Sequence, residues 1–486
     1  MIIKNIIKKL NLKPLADYQL AYLIVILVFL RMINFQYDND FWFTINQGRY
    51  VLEHSFPTIA INSIHNIDFI YQSWGTGTLF YIVYNYLGLY GMVFLLIAIV
   101  SLTMYFFYKL CFLVSSNKRR SLYITFLFFL LYTPFITTRP HIFTVLNLTI
   151  MLYLLESYIQ KDDIKYLYGL PIISLLQINM HGIYFILLLI IISPFLINSF
   201  KFKFLNVKSN GYRKKPLIIA FICMILTGFI NPYGYKTIIY GFSSYDSTGL
   251  FNNTIAELSA LNFHKIYDKI FIVTIIITYI LYFNKKKEIP LRYYLLLFGT
   301  TYLAFDAVKS FYLFLICSFY PLAYIYSNNK KTKKEYQFSK IYHIFHGSFT
   351  VVLCIFCFLN IKNPQLPEIS KYIDYLDENV ANKENMKLFT DYMDGSYAEY
   401  RGYNCYLDPR GEIFLKSNNK KEDIYEEYNN VSIFKINYKD FIDKYKFDYM
   451  LIKNESELGR LMKYDAYKYK NVMEDANYTL YMLDRR

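Results

Sequence analysis

The sequence predicts a polytopic α-helical membrane protein that ends in a soluble α/β domain. Three observations lead there. The 486 residues are 55% hydrophobic and 20% aromatic, and only 18% are Asp, Glu, Lys or Arg. The apolar residues come in runs close to the ~20 that a helix needs to cross a bilayer, and mean hydropathy is positive at +0.22. The charge is also divided. From Ile361 onward 20 basic and 23 acidic residues give −3, whereas the preceding part holds 32 basic against 14 acidic, or +18. A basic excess in short loops marks the cytoplasmic side of a membrane protein. A nucleic-acid binder would need a basic patch on a folded domain, and none is evident. The expected division is a membrane domain over 1–360, with an outer loop at 36–88, and an extracytoplasmic α/β domain over 361–486.

The first apolar run follows Lys8, Lys9 and Lys13. No small-residue cleavage signal comes after it, so it reads as a retained helix over 17–35 that starts inside. Residues 71–88 contain Gly75, Gly77 and Gly88 and read as interfacial or re-entrant. The following spans are expected at 89–113, 121–138, 142–159, 167–180, 183–200, 216–230, 270–283, 292–307, 311–326 and 342–359, about eleven in all. Lysine-rich loops then fall inside: Lys118 to Arg120, Lys161 and Lys165, Lys201 to Lys215, Lys285 to Lys287, and Lys331 to Lys334. Were 71–88 a full crossing, every later side would invert and the charge bias would be wrong throughout. The N-terminus is therefore placed in the cytoplasm and the C-terminal domain outside.

In that domain, helical patterns at 368–380, 421–429, 438–446 and 455–464 alternate with strand candidates at 386–390, 405–407, 449–453 and 478–483. Such alternation suggests a small α/β unit. Cys354 and Cys357 lie in an apolar segment and read as small buried hydrophobes rather than a redox pair.

The same topology gathers the polar interruptions on the outer face. Asp38 and Asp40 follow the first span, and Trp42 comes directly after them. Arg139 and His141, then Asn179 and His181, sit in short outer turns. Asn231 and Glu257 follow the seventh span, and Asp306 and Lys309 separate the ninth from the tenth. Carboxylates this close to lipid are costly unless paired or used. Asp38 or Asp40 suits a general base, because a desolvated carboxylate has a raised pKa and accepts a proton from an incoming hydroxyl. Ordinary loop polarity or an ion pair is the alternative. Arg139 suits a phosphate clamp, with Lys309 as a second contact, or else it snorkels to the interface. Trp42, His141, Asn179, His181, Asn231 and Glu257 are supporting or acceptor-binding candidates. The two histidines lack a close ligand spacing, so no metal ligands are assigned, and a divalent cation is the one cofactor kept open.

These motifs, taken together and in order, resemble the polyprenyl-phosphate-sugar-dependent glycosyltransferases of the GT-C superfamily. The likeness is to poorly characterised bacterial membrane proteins of that type. It is carried by Asp38-Asn39-Asp40-Phe41-Trp42-Phe43, Gly48-Arg49, Phe56-Pro57, Thr138-Arg139-Pro140-His141 and Asn179-Met180-His181-Gly182. Asn231-Pro232-Tyr233-Gly234, Glu257, Asp394-Gly395-Ser396-Tyr397 and Leu407-Asp408-Pro409-Arg410 continue it into the tail. Phe43 stands where tryptophan is usual, and Pro409 where glycine is usual. The resemblance implies a GT-C-like membrane core whose acid lies in the first outer loop. It further implies a bacterial plasma-membrane enzyme that takes a polyprenyl-phosphate-linked sugar and an envelope glycan, lipid or protein acceptor. A lipid-linked oligosaccharide polymerase or ligase, a transporter of such lipids, and a non-catalytic assembly protein are the other readings. Against transport, there is no internal repeat, and no inner-side polar residues are evident from which to build a gate.

Overall fold

The computed structural model describes residues 17–32, 37–200, 203–204, 207–208, 211–243, 257–284, 288–327, 340–362 and 365–485. Lys8, Lys9, Lys13, Lys201, Lys285 to Lys287 and Lys331 to Lys334, which carry much of the inside assignment, lie outside the described residues.

The membrane part runs through α1 (Asp17–Met32), α2 (Asn39–Glu53), α3 (Trp74–Ser115), α4 (Lys118–Tyr132), α5 (His141–Lys161), α6 (Gly169–Met180) and α7 (Phe185–Ser199). It continues through α8 (Lys214–Thr227), α9 (Tyr235–Ser243), α10 (Ile266–Phe283), α11 (Leu291–Asp306), α12 (Phe311–Ile325) and α13 (Lys340–Leu359). Each predicted apolar segment contains a helix. Among the described residues, five segments are long and apolar enough to cross a membrane: α3, α5, α10, and the stretches Gly182–Ser199 and Val308–Ile325 that carry α7 and α12. This is a polytopic helical region, with five strong spans where about eleven were expected. Apolar residues on α10 and α13, such as Val273, Ile277, Val352 and Phe356, are exposed. Surfaces of that kind suit lipid rather than water.

Gly88 divides α3. Its φ of 57° and ψ of −146° interrupt the helix, in a region that a residue with a Cβ rarely enters. The limb before it, residues 74–87, is about 21 Å long at ~1.5 Å per residue, short of a ~30 Å hydrocarbon core. It packs on α2, and the two backbones meet at Gly48 and Gly77. A Cβ on Gly48 would lie 2.1 Å from the Gly77 carbonyl oxygen.

The helix α2 itself is a correction. Residues 39–53 read as polar loop, yet they fold as a helix capped by Asp38, whose carboxylate accepts from Phe41 N at 3.1 Å. Its Phe41, Trp42 and Ile45 are buried. The run Asn46-Gln47-Gly48-Arg49 hid that apolar face.

The C-terminal domain is a five-stranded mixed sheet in the order β4-β3-β5-β7-β6. Its strands are β3 (Lys387–Thr390), β4 (Asn404–Cys405), β5 (Tyr449–Lys453), β6 (Tyr469–Glu474) and β7 (Tyr478–Leu483); β1 (Lys203–Phe204) and β2 (Val207–Lys208) form a separate hairpin. β3 pairs parallel with β4 and β5, and β7 pairs antiparallel with β5 and β6. The four predicted strands are present; β6, an edge strand with a register shift between Asn471 and Met473, was not foreseen. The segment between α2 and α3 covers the opposite edge. Cys405 N donates to Asn62 O at 2.9 Å and Ile64 N donates to Cys405 O at 3.0 Å. Phe69 and Tyr71 share a core with Phe389 and Tyr406. Trp42 stands edge-on to Tyr397 at 4.9 Å between ring centroids. The α2–α3 segment, α2 and the C-terminal domain are thus packed together.

A second correction concerns the far end of the bundle. Glu156 and Arg292 form a bidentate pair there, both contacts at 2.9 Å, with exposures of 0% and 4%. Tyr320 donates to the same carboxylate at 3.2 Å, and Arg292 N donates to Asn198 Oδ1 at 3.1 Å. The sequence reading placed no polar cluster there. The bidentate geometry reads as a clamp joining α5, α7, α11 and α12. Removing one partner leaves a buried charge unpaired, whereas replacing both with apolar residues does not. Glu156→Gln should therefore lose about 3–5 kcal/mol of stability, and a Glu156→Leu/Arg292→Leu double variant should lose much less. Thermal unfolding of the purified full chain in detergent checks this; equal losses in both would contradict it.

Candidate active site

Four side chains from distant parts of the sequence meet at the start of α2. Arg139 Nε donates to Asp38 Oδ2 at 2.7 Å, and Arg139 Nη1 lies 3.1 Å from Asp40 Oδ2 and 2.7 Å from Glu257 Oε2. Asp38 is fixed by its capping bond. Asp40 occupies the first turn of α2, where the helix dipole favours an anion. Arg139 stands in the turn before α5, preceded by the short helix Thr133–Phe135 and followed by Pro140. Glu257 is held through its backbone: Lys309 N donates to Glu257 O at 3.0 Å, and Val308 N to Ser259 O at 3.0 Å. One cation therefore faces three carboxylates.

This cluster borders a cavity of about 430 Å³ lined by Asp40, Arg139, His141, His181, Glu257 and Lys309. Asp306, Gln47, Tyr240, Arg410 and Glu412 line it as well, so the C-terminal domain supplies part of the wall. His181 bonds Thr144 Oγ1 through Nδ1 at 2.8 Å, and burial pulls its imidazole well below the usual range, keeping it neutral. His141 Nε2 meets Phe135 O at 2.6 Å.

The electrostatics single out Asp40. Burial pushes its carboxyl up to about 7; Arg139 pulls it down, while Asp38, Glu257 and Glu412 push it up again. Asp40 is thus poised to exchange a proton near neutrality. Burial also raises Glu412, whose Oε1 accepts from Tyr240 Oη at 3.3 Å. Among the described residues, no group of three or more His, Cys, Asp or Glu is arranged to hold a metal ion. The carboxylates converge on the Arg139 guanidinium.

Six of the ten predicted site residues line the cavity, and Asp38 stands directly behind it on Arg139. The other three lie elsewhere. Trp42 is packed against Tyr397 and Tyr400. Asn179 accepts from Trp74 Nε1 at 2.9 Å and donates to Ile230 O at 3.0 Å, clipping its turn to the start of α3. Asn231 spends its amide on its own turn, donating to Gly228 O and Gly234 O at 2.8 and 2.9 Å. Sequence reasoning missed Gln47, Arg410, Glu412 and Tyr240. A signal existed for Gln47: Asp40, Phe43 and Gln47 fall at i, i+3 and i+7, one face of a helix.

No protein-family model and no curated protein sequence matches this sequence. Solved structures do match. The apo oligosaccharyltransferase of Archaeoglobus fulgidus superposes with a TM-score of 0.56 at 11% identity, covering 90% of this chain and 70% of that one. The same enzyme tethered to an acceptor peptide with the NVT sequon gives 0.51 at 11% identity, over 90% and 69%. The arabinofuranosyltransferase AftD from Mycobacteria gives 0.53 at 8% identity, over 97% of this chain and 42% of that one. The chain has a GT-C-like fold. At these identities the GT-C likeness is one of architecture, a helical membrane region joined to a C-terminal domain.

The pairing of Arg139 has a testable consequence. Without the guanidinium, three carboxylates repel one another while partly buried. A carboxyl whose folded pKa is raised costs stability as pH climbs from its unfolded pKa to its folded one, and the whole cost is present above the latter. Arg139→Gln should therefore lose about 2–3 kcal/mol at pH 8 and distinctly less at pH 5.5, where Asp40 is protonated. Unfolding temperatures at the two pH values decide; a loss independent of pH would contradict the pairing.

Proposed function

We propose that this chain is a glycosyltransferase of the bacterial plasma membrane. It moves a sugar from a polyprenyl-phosphate donor to an envelope acceptor at the outer face. The observation that carries the reading is the Asp40 carboxylate, held 3.1 Å from Arg139 Nη1 at the wall of a cavity of about 430 Å³, within a GT-C-like fold. The acceptor is an envelope glycan, lipid or protein. The donor's isoprenoid tail stays among bilayer lipids, and its phosphate reaches the cavity at headgroup depth.

In the reaction, the bond between the anomeric carbon and the phosphate oxygen breaks. A new bond forms from that carbon to the acceptor oxygen. The acceptor proton passes to Asp40, and the polyprenyl phosphate leaves with the electron pair. Lys309 offsets the charge that develops on the leaving phosphate. Arg139 already serves three carboxylates, so its main part is to hold Asp40 in place, with any phosphate contact coming second. Asp38 shares that guanidinium and caps the helix that carries the base. His141 and His181 line the same wall, and neutral His181 leaves the balance of charge to the acids and Lys309.

The test is a mass-spectrometric comparison of lipid extracts and envelope material from cells with the gene deleted. The deletion is complemented by wild type or by the Asp38→Asn/Asp40→Asn variant. The expected result is a sugar-modified component absent from the deletion and from the variant, with its lipid-linked donor accumulating in both. A variant that restores the wild-type profile would contradict transfer by these acids and favour a scaffold.

A further inference from the structure

Beside the acid cluster, two residues that line the cavity carry buried polar atoms that the fold leaves unsatisfied. Gln47 Nε2 and Oε1, on α2, and Arg410 Nη1, from the C-terminal domain, are buried without a hydrogen-bond partner. Gln47 is 1% exposed and Arg410 3%. Buried polar groups are rarely left in this state, and an amide with both ends unmet is rarer still. The rest of the arginine is fully used. Its Nε donates to Asp408 Oδ1 at 2.8 Å and its Nη2 to Asp408 Oδ2 at 2.6 Å, with Glu399 Oε2 3.1 Å away. The Asp408 carboxylate balances its charge.

Aromatic rings stand beside these atoms. The Arg410 guanidinium lies 5.8 Å from the Phe43 ring centroid and 5.2 Å from that of Phe69. Gln47 follows Phe43 by one helical turn. This wall therefore offers donors, one acceptor and flat apolar faces, and little net charge. A phosphate fits it poorly: with acceptors only, it would leave Gln47 Oε1 unmet. Neighbouring hydroxyls on a sugar ring supply a donor and an acceptor side by side, and the ring's C–H face suits an aromatic wall. Gln47 is also two turns along α2 from Asp40, about 10 Å by helical rise. One sugar ring with its hydroxyls bridges a gap of that size.

We infer that Gln47 and Arg410 form a sugar-ring subsite, which holds the carbohydrate beside Asp40. The inference rests on the proposed transfer reaction for its purpose. Its geometry comes from the unmet atoms. It also gives the C-terminal domain a direct part in the site, since Arg410 reaches the cavity from there.

Gln47→Leu provides the test, because leucine keeps the bulk and removes both unmet polar atoms. The purified full chain in detergent is probed with a set of methyl glycosides by saturation-transfer NMR, and its unfolding temperature is measured in parallel. In the wild type, the ring protons of at least one glycoside should receive saturation. In Gln47→Leu that signal should fall at least tenfold, with an unfolding temperature equal to or above the wild type's. If leucine prevents folding, Gln47→Asn replaces it, which keeps the amide but draws it back by one methylene, with the same expected loss. No signal in the wild type, or an undiminished signal in the folded variant, overturns the subsite. The transfer reading is scored separately by the envelope profile of Asp40→Asn. A wild-type profile there with glycoside binding lost in Gln47→Leu sinks transfer and keeps the subsite; the opposite pair of results sinks the subsite alone.

Discussion

Arg139 gathers three carboxylates that would otherwise repel one another, and the half of the molecule that meets the C-terminal domain is arranged around that point. Asp38 and Asp40 come from the start of α2, and Glu257 from a segment pinned to residues 308–309. The contacts span 101 residues of sequence in one direction and 118 in the other. A single guanidinium thus ties the start of α2 to the turn before α5 and to the approach to α12. With three acids against one cation, the cluster keeps excess negative potential, which together with burial holds the Asp40 proton to higher pH than usual.

The C-terminal domain completes the enclosure. It does so through backbone pairing at its β4 edge and through aromatic packing on Trp42, so the segment from α2 to the start of α3 is tied to it. That construction explains residues that looked functional from their chemistry alone. Trp42 is an anchor between α2 and the tail. Asn179 and Asn231 shape turns: one is clipped to Trp74, and the other is closed on itself. Gln47 and Arg410, whose buried polar atoms nothing in the fold satisfies, do line the cavity.

Much of this was legible in the sequence. Apolar runs marked each membrane helix, since burial and lipid exposure both demand apolar residues and break only at turns. Four of the five tail strands showed in their composition. The helix α2 did not, because Asn46, Gln47 and Arg49 interrupt its apolar face, and those residues are polar in order to serve the site and the tail. β6 escaped because an exposed, bulged edge strand carries little hydrophobic pattern. At the site, residue type and shared depth were enough to group Asp38, Asp40, Arg139, His141, His181, Glu257 and Lys309. The partnership of Arg139 was not readable. A guanidinium suits phosphate and carboxylate equally well, and only the folded chain shows which acids it meets. The part of Arg410 was hidden for a related reason, as nothing local indicates that residue 410 reaches a cavity built mainly from residues 40–312.

The most direct measurement is the titration of Asp40 itself. Infrared difference spectra of the wild type minus Asp40→Asn, recorded across pH on the full chain in detergent, isolate that carboxyl. The predicted result is a protonated-carboxyl band lost with a midpoint near pH 7, shifting upward when Arg139 is replaced by Gln. A midpoint near pH 4, unmoved by that replacement, would contradict a proton-accepting acid held in place by Arg139.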